Sequence, residues 1–192
     1  MSSFDIIKSF GDKYGVRLSG ASAEKLCSVL IRREYPKDEI ILNIGQICRD
    51  LYIIEKGMIR QFYYKNGKDI SEHFSCEGDI VLCIESLFSK EPTQLIIETL
   101  EPTIVHLLNY ERLFQLCDEY RDISQLYRNF MEFDLIVSQR KADSWRFENA
   151  KERYDRFRRE YPEAAKRASV AHIASYLLMT PETLSRVRAG VL

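Results

Sequence analysis

The sequence predicts an α+β chain of three parts: an N-terminal β-roll of the jelly-roll kind, a long helix, and a C-terminal helix-turn-helix. Short apolar segments separated by glycine-containing turns occupy residues 37–108, the region of the roll. A stretch without glycine or proline runs from residue 123 to 161, although the helix could break as early as Asp143-Ser144, and two short helical patterns fill the final segment from residue 169. We place the domain boundaries at 1–120, 121–161 and 162–192.

The β-roll is predicted from a series of short strands and turns. A short amphipathic helix, from Ser22 to about Arg32 and ended by Pro36, precedes them. Asn66-Gly67 lies between two alternating segments and is a strong hairpin signal. Glu77-Gly78-Asp79 predicts another turn, and Glu101-Pro102 separates two further strands at 95–100 and 103–108. Short strands at regular spacing favour a sandwich or barrel.

The long helix carries an apolar seam. After a short helix at 110–117, residues spaced alternately by three and four place one set of side chains on one face. That set is Leu126, Phe130, Phe133 and Val137. A helix that spans two modules usually finds a partner helix, so we expect a homodimer through this seam. The alternative is that the helix packs only on its own roll.

The C-terminal segment has the pattern of a helix-turn-helix. Ser169 is placed to cap a first helix that carries Ile173, Ala174 and Leu177 on one side. Thr180 and Pro181 supply a cap and a first-turn proline for a second helix, whose Leu184 and Val187 point inward. A small alanine where the helices cross and a shared apolar core are what this motif requires.

The outward face of the second helix is polar and supplies the candidate DNA-binding residues. These are Thr180, Glu182, Thr183, Ser185, Arg186 and Arg188. The charge distribution agrees with that interpretation. Residues 139–192 hold 12 Lys and Arg against 7 Asp and Glu, whereas residues 1–138 hold 16 against 22. A basic C-terminal part that follows an acidic N-terminal part is typical of a sensor domain joined to a nucleic-acid-binding domain.

Composition excludes several other classes. No apolar run approaches the length that spans a bilayer, and no signal sequence is apparent, so we expect a cytoplasmic protein with no membrane partner.

The five cysteines are scattered and form no CxxC pair, which argues against a zinc ribbon or a disulfide framework. Three distant histidines do not make a metal site. No catalytic constellation is recognised, so we expect no enzyme activity.

The whole pattern resembles the cyclic-AMP receptor protein / fumarate–nitrate regulator (Crp/Fnr) family of bacterial transcription factors. The resemblance covers nearly the whole chain. In the N-terminal half it rests on Gly45, the segment Leu51 to Gly57, Asn66-Gly67 and Gly78-Asp79. In the C-terminal half it rests on Glu152-Arg153-Tyr154, Ile173 to Leu177 and Thr180 to Arg186. The family implies a cytoplasmic homodimer on two-fold-symmetric double-stranded DNA, with RNA polymerase as a further partner.

The resemblance also implies roles for individual residues. Arg186 matches the arginine that pairs with guanine, and Glu182 matches the carboxylate that accepts from cytosine. Ser185 and Thr183 are candidates for phosphate or base-edge contacts, and Arg188 for a phosphate contact. The alternative is that Glu182 and Arg186 form only a surface pair four residues apart. Pro181 stands where the family has a further arginine, so the preferred DNA sequence is expected to differ.

Two departures concern the shape of the motif. The turn between the helices commonly contains glycine, but here it reads Leu178-Met179. A residue other than glycine in the left-handed conformation costs roughly 1–2 kcal/mol. The short segment 162–169 leaves little room for the β-hairpin wing that many members carry.

The sensor pocket lacks the usual cyclic-AMP ligands. Leu82-Cys83 replaces the Gly-Glu pair that binds the ribose, and Gln94-Leu95 replaces the Arg-Ser pair that neutralises the phosphate. Glu85 is a candidate for a shifted carboxylate. We therefore expect neither cyclic AMP nor another cofactor, and the effector is unidentified.

The cysteine cluster that binds an iron–sulfur centre in some members is missing from this sequence. Haem would need His73, Cys76 or Cys83 as a ligand, and we do not expect it.

One alternative function remains open at this point. The chain could be a ligand-binding or interaction module whose tail is degenerate and does not bind DNA. Leu178 in the turn favours that alternative. Arg186 discriminates between the two, because only a DNA reader depends on it.

Overall fold

A computed structural model describes residues 2–191. Two helices, α1 (Ser3–Lys13) and α2 (Gly20–Val29), precede the strands of the roll. Those strands are β1 (Leu30–Tyr35), β2 (Ile40–Leu42), β3 (Asp50–Lys56), β4 (Ile59–Lys65), β5 (Lys68–Ser75), β6 (Ile80–Val81), β7 (Ile96–Thr99) and β8 (Thr103–Asn109), with helix α3 (Ile84–Ser89) between β6 and β7.

The strands form the predicted β-roll from two antiparallel sheets. One sheet has the order β1-β8-β3-β6 and the other β2-β7-β4-β5. The β4–β5 hairpin is confirmed, since Asn66 and Gly67 both take positive φ, +52° and +74°, as a type I′ turn requires. The apolar faces of the two sheets enclose the main core.

The front of the chain differs from the sequence prediction. The expected helix from Ser22 to Arg32 instead begins at Gly20, is capped by Ser19, and ends at Val29. Leu30 to Tyr35 form β1 because they pair with β8, starting at Leu30 opposite Leu108. That pairing is long-range, so local periodicity could not reveal it. Helix α1 was not predicted; it buries Ile6, Ile7 and Phe10 against the roll.

Six helical segments follow the roll: α4 (Tyr110–Glu119), α5 (Arg121–Phe147), α6 (Ala150–Glu160), α7 (Pro162–Arg167), α8 (Val170–Tyr176) and α9 (Pro181–Arg188), within the described residues 2–191. The predicted continuous helix to residue 161 is therefore wrong. The helix ends before Asn149, whose side chain caps the next helix, α6, by accepting from the Glu152 backbone at 3.1 Å. Arg156 of α6 then donates to the Arg140 carbonyl of α5 at 2.8 Å, which holds α6 against α5.

The C-terminal helices share a second core with the roll. Phe157, Ile173, Tyr176 and Leu184 from α6, α8 and α9 pack in one cluster. Met58 and Phe74 from the roll complete that cluster. The helices α6–α9 are therefore docked on the roll, and they do not close a core by themselves. In residues 2–191 no helix is long and apolar enough to cross a membrane.

Candidate nucleic-acid interface and sensor pocket

The two short helices predicted at the C-terminus are present as α8 and α9, joined by a short turn. Their core consists of the residues that the sequence pattern placed there, and all of them are buried: Ile173, Ala174, Leu177, Leu184 and Val187. Ser169 caps α8 by accepting from the His172 backbone at 3.1 Å. The two helices are thereby held as one unit on the roll.

The turn between α8 and α9 uses a leucine where glycine is favoured. Leu178 has φ +53°, in the left-handed region. Its N–H donates to the Ser175 carbonyl at 3.1 Å, and the Met179 N–H donates to the Ala174 carbonyl at 3.0 Å. This pair of bonds is a Schellman arrangement, so the turn has the ordinary helix-ending geometry with a strained residue at its centre.

The hydroxyls at the start of α9 serve the helix itself. Thr180 Oγ1 accepts from the Thr183 backbone at 3.2 Å and also contacts the Thr183 hydroxyl at 3.2 Å. Ser185 Oγ donates to the Pro181 carbonyl at 2.9 Å. Pro181 occupies the first turn, where its missing N–H is not needed. These contacts fix the direction in which α9 leaves the turn.

Glu182 and Arg186 are two charged residues on the outer face of α9. Both are exposed, and between described residues neither makes an ion pair. The alternative of a Glu182–Arg186 surface pair is therefore not realised in this conformation. The backbone N–H of Glu182 and the Thr180 hydroxyl lower the pKa of the Glu182 carboxyl, which keeps it an acceptor. One acceptor and one forked donor thus lie a single helical turn apart.

Arg188 is exposed and supported by a ring. Its guanidinium lies over Tyr154 of α6, 5.5 Å from the ring centroid. Arg158 approaches the same ring at 5.8 Å. Stacking on an aromatic face holds a guanidinium without neutralising it. The pair presents positive charge beside α9.

A cavity of about 450 Å³ lies between the roll, α1, α5 and the α6–α7 junction. About half of its lining residues are apolar or aromatic, and the others are polar or charged. The apolar and aromatic ones include Tyr14, Phe74, Phe130, Phe133, Ile80, Leu82, Ile84, Leu95, Val137 and Tyr161. Small-molecule sites have volumes of roughly 300–1,000 Å³.

The predicted effector residues are only partly brought together. Leu82 and Leu95 line the cavity. Glu85 and Gln94 are exposed and are not among the residues that line it. Cys83 is buried beside it, where its sulfur accepts from Gln61 Nε2 at 3.8 Å. The side chains that line the cavity from α1 and α5 were missed, because the sequence does not show which helices close the pocket.

The cations around the cavity are mostly committed to carboxylates. Lys13 pairs with Asp79 at 2.5 Å and donates to the Gly78 carbonyl at 3.2 Å. Lys141 pairs with Glu72 at 2.6 Å. Burial, together with the Lys141 charge, lowers the pKa of His73 to about 3, so this ring is neutral. Of the two cations that line the cavity, Lys13 is therefore paired, and Arg140 is exposed and forms no ion pair among residues 2–191.

Two cysteines form a buried thiol pair next to the cavity. Both cysteines are free thiols, and the Cys48 Sγ donates to the Asp50 carbonyl at 3.5 Å. The interaction between the two thiols lowers the pKa of Cys48, and the same interaction together with burial raises the pKa of Cys83. Cys76 lies elsewhere, and burial raises its pKa to about 11.

The histidines are separated, as the sequence indicated. His73 lines the cavity, His106 contacts Glu55 at 2.8 Å inside the roll, and His172 lies in α8. Among the described residues no group of His, Cys, Asp and Glu is arranged to hold a metal ion.

The predicted dimer seam on α5 requires correction. Leu126 and Phe130 are 1% and 2% exposed and pack in the core of their own chain, where Phe130 contacts the Tyr14 ring at 5.4 Å. Phe133 and Val137 line the cavity. The large apolar side chains that α5 exposes are Phe133, Leu135, Ile136, Trp145 and Phe147, and among them Leu135 and Ile136 are 71% and 50% exposed. Helix α1, which was not predicted, ends at Tyr14, whose ring covers Phe130, whereas Phe133 stays 48% exposed.

The residues that dock the C-terminal helices were also missed. Lys141 is 6% exposed, and its Nζ donates to the Glu72 carbonyl and lies 5.1 Å from the Tyr176 ring centroid. Arg167 bridges Glu77 at 2.7 Å and Glu101 at 2.8 Å. The one available signal was a lysine on the apolar side of α5. Ion pairs between distant segments leave no periodic trace in a sequence.

Residues 32–120 match the family model of the cyclic nucleotide-binding domain. Among solved structures, the c-di-GMP responsive global regulator CLP of Xanthomonas campestris is similar. It is 17% identical with a TM-score of 0.69, and the match covers 90% of this chain and 91% of that one. FixK2 from Bradyrhizobium japonicum is 21% identical with a TM-score of 0.72, covering 85% and 84%.

A transcriptional regulator assigned to the Crp/Fnr family, from Eubacterium rectale, is 16% identical with a TM-score of 0.67, covering 90% of this chain and 83% of that one. No curated protein sequence matches the chain. At these identities the likeness shows the fold. The arrangement of roll, long helix and C-terminal helices is thus shared along most of the chain.

Proposed function

We propose that the chain binds a two-fold-symmetric DNA site as a homodimer and regulates transcription, because residues 32–120 match the cyclic nucleotide-binding domain family model and the fold resembles that of Crp/Fnr transcription regulators. The observation that carries this proposal is the pair Glu182 and Arg186, exposed and unpaired on the outer face of α9. In the major groove, Arg186 reads guanine O6 and N7 and Glu182 accepts from cytosine N4.

The remaining polar residues of α9 position the helix. Arg188, held over Tyr154, contacts phosphate, and Thr180, Thr183 and Ser185 lie close to the sugar–phosphate backbone. In a dimer the two half-sites lie about 10–10.5 base pairs apart. RNA polymerase is the partner through which such binding regulates transcription, and we expect this in the cytoplasm.

The roll acts as a sensor that does not use the usual cyclic-AMP contacts. Glu85 and Gln94 lie outside the cavity lining, and Leu82 and Leu95 contribute apolar surface to it. The cavity touches α5 and the α6–α7 junction, and through these helices we expect its occupancy to affect the position of α9.

The test is selection from a randomised duplex library with the purified full-length protein at about 150 mM salt. Enrichment of a two-fold-symmetric site supports the proposal. Arg186→Ala should weaken the selected site by about 1–3 kcal/mol and relax the preference at one base pair of each half-site. The matched control is Arg112→Ala, which removes an exposed arginine on α4.

Failure to enrich any site, both with and without added cell extract, would overturn the proposal. That result would favour the interaction-module alternative.

A further inference from the structure

The cavity contains one carboxylate without a protein partner. Asp134 of α5 lines it, and no described residue donates a hydrogen bond to Asp134 or forms an ion pair with it. Burial raises the pKa of Asp134, and no neighbouring cation offsets that effect. The other acidic groups of the lining have partners: Asp79 pairs with Lys13, Glu72 with Lys141, and Glu160 approaches Arg156 at 3.9 Å.

Aromatic rings line the same part of the cavity as Asp134. Tyr14 packs edge-on to Phe133 at 5.6 Å and to Phe130 at 5.4 Å. Phe130 and Phe133 precede Asp134 by one turn or less on α5. Asp134 lines the cavity together with Tyr14, which follows α1, and Tyr161, which joins α6 to α7.

An unpaired carboxylate among aromatic faces recognises an organic cation. The carboxylate supplies a charge-assisted hydrogen bond, and the ring faces attract the positive charge. An anionic nucleotide would meet Asp134 with no free cation deep in the cavity, since Lys13 is paired and His73 is neutral. Arg140 lies at the exposed rim, where water and salt screen it.

We propose that this cavity binds a small organic amine in its ammonium form, carried on an apolar body, with Asp134 as its counter-ion. This inference rests on the proposed function, because it names the chemical class of the sensor's effector. The apolar body lies against Leu82, Leu95 and Val137. Tyr161 at the opposite wall lets the bound amine contact the C-terminal helices.

The test is isothermal titration of the full-length protein with 2-phenylethylamine and tryptamine. The neutral 2-phenylethanol and cyclic AMP serve as comparison ligands. We expect an amine to bind about 10- to 100-fold more tightly than the alcohol, which is the effect of a hydrogen bond between charged groups. Asp134→Asn should lose the same factor. Glu132→Gln, an exposed carboxylate on the same helix, should leave amine binding unchanged.

A second measurement guards against a folding defect in the variant. Asp134→Asn removes an unpaired, partly buried charge, so its melting temperature without ligand should equal or exceed that of the original protein. Equal affinity for amine and alcohol, no binding of either amine at millimolar concentration, unchanged binding by Asp134→Asn, or tighter binding of cyclic AMP would each overturn the inference. If DNA selection still yields a symmetric site, only the inference fails and the proposed function stands.

Discussion

Ser175 of α8 completes the hydrogen bonding of Ser71 on the outer strand of the roll. Its Oγ accepts from the Ser71 N–H at 2.9 Å and donates to the Asp69 carbonyl at 2.9 Å. Strand β5 lies at the end of its sheet, next to β4 alone. Unpaired edge groups invite pairing with another chain. The Ser175 hydroxyl of α8 therefore satisfies two backbone groups at this sheet edge, and α9 follows α8 across the turn.

Removal of that hydroxyl should loosen the docked helices. Ser175→Ala leaves the Ser71 N–H and the Asp69 carbonyl without their partner. We expect a loss of about 1–3 kcal/mol in the free energy of unfolding. Denaturant unfolding measures the loss, and hydrogen exchange should show faster exchange of the Ser71 amide.

Ser138→Ala is the matched control, because that serine is exposed on α5 and docks nothing. If Ser175→Ala unfolds at the same denaturant concentration and the Ser71 amide exchanges no faster, the contact does not hold α8 on the roll.

Dimerisation should depend on the exposed face of α5. Leu135→Glu places like charges against each other if Leu135 and Ile136 meet their copies across a two-fold axis. Charges that lose water without a partner are costly, so the variant should be monomeric. Light scattering coupled to size exclusion gives the mass.

Val191→Glu changes an equally exposed apolar residue beyond α9 and should leave the mass unchanged. A dimer that survives Leu135→Glu would place the interface elsewhere.

The strained leucine of the turn gives a stabilising substitution. Leu178→Gly relieves a left-handed backbone at φ +53°, and the lost side chain is exposed. We expect a gain of about 1 kcal/mol, after the greater freedom of glycine in the unfolded chain is subtracted. Thermal unfolding measures this gain.

Leu178→Ala keeps the strain and serves as the comparison. A melting temperature that rises equally for alanine and glycine would mean that the side chain, and not the backbone, is responsible.

Docking of α7 should weaken in acid. The Arg167 guanidinium lowers the pKa of Glu77 from 4.5 to about 2. Because the folded pKa lies below the unfolded one, the unfolded chain binds more protons in this range. The stabilisation by this bridge is therefore complete above about pH 4.5 and is lost as the pH falls toward 2.

Glu77→Gln should flatten that part of the profile of urea midpoint against pH. Glu24→Gln, at an exposed carboxylate of α2 that forms no ion pair within residues 2–191, should leave the profile unchanged. High salt should reduce the difference between Glu77→Gln and the original chain, since the bridge is partly exposed. An identical slope in Glu77→Gln would show that other carboxylates govern acid unfolding.

Much of this protein is determined by local sequence. Asn66-Gly67 specifies its hairpin turn because both residues tolerate positive φ, and Thr180-Pro181 specifies the start of α9 through a cap and a fixed φ. The inward set Ile173, Leu184 and Val187 follows from helical periodicity alone. The outward Arg186 follows from the same periodicity.

Long-range contacts decide the rest. Leu30 to Tyr35 form a strand because β8 pairs with them. Phe130 is not available for a dimer seam because the ring of Tyr14, at the end of α1, packs against it. Asp134 becomes an unpaired carboxylate in a partly open cavity only when α1, α5 and the α6–α7 junction meet. Burial and pairing are properties of the assembled chain. Periodicity in the sequence determines on which face of a helix or strand a side chain lies. Only the tertiary structure determines which other residues that face contacts.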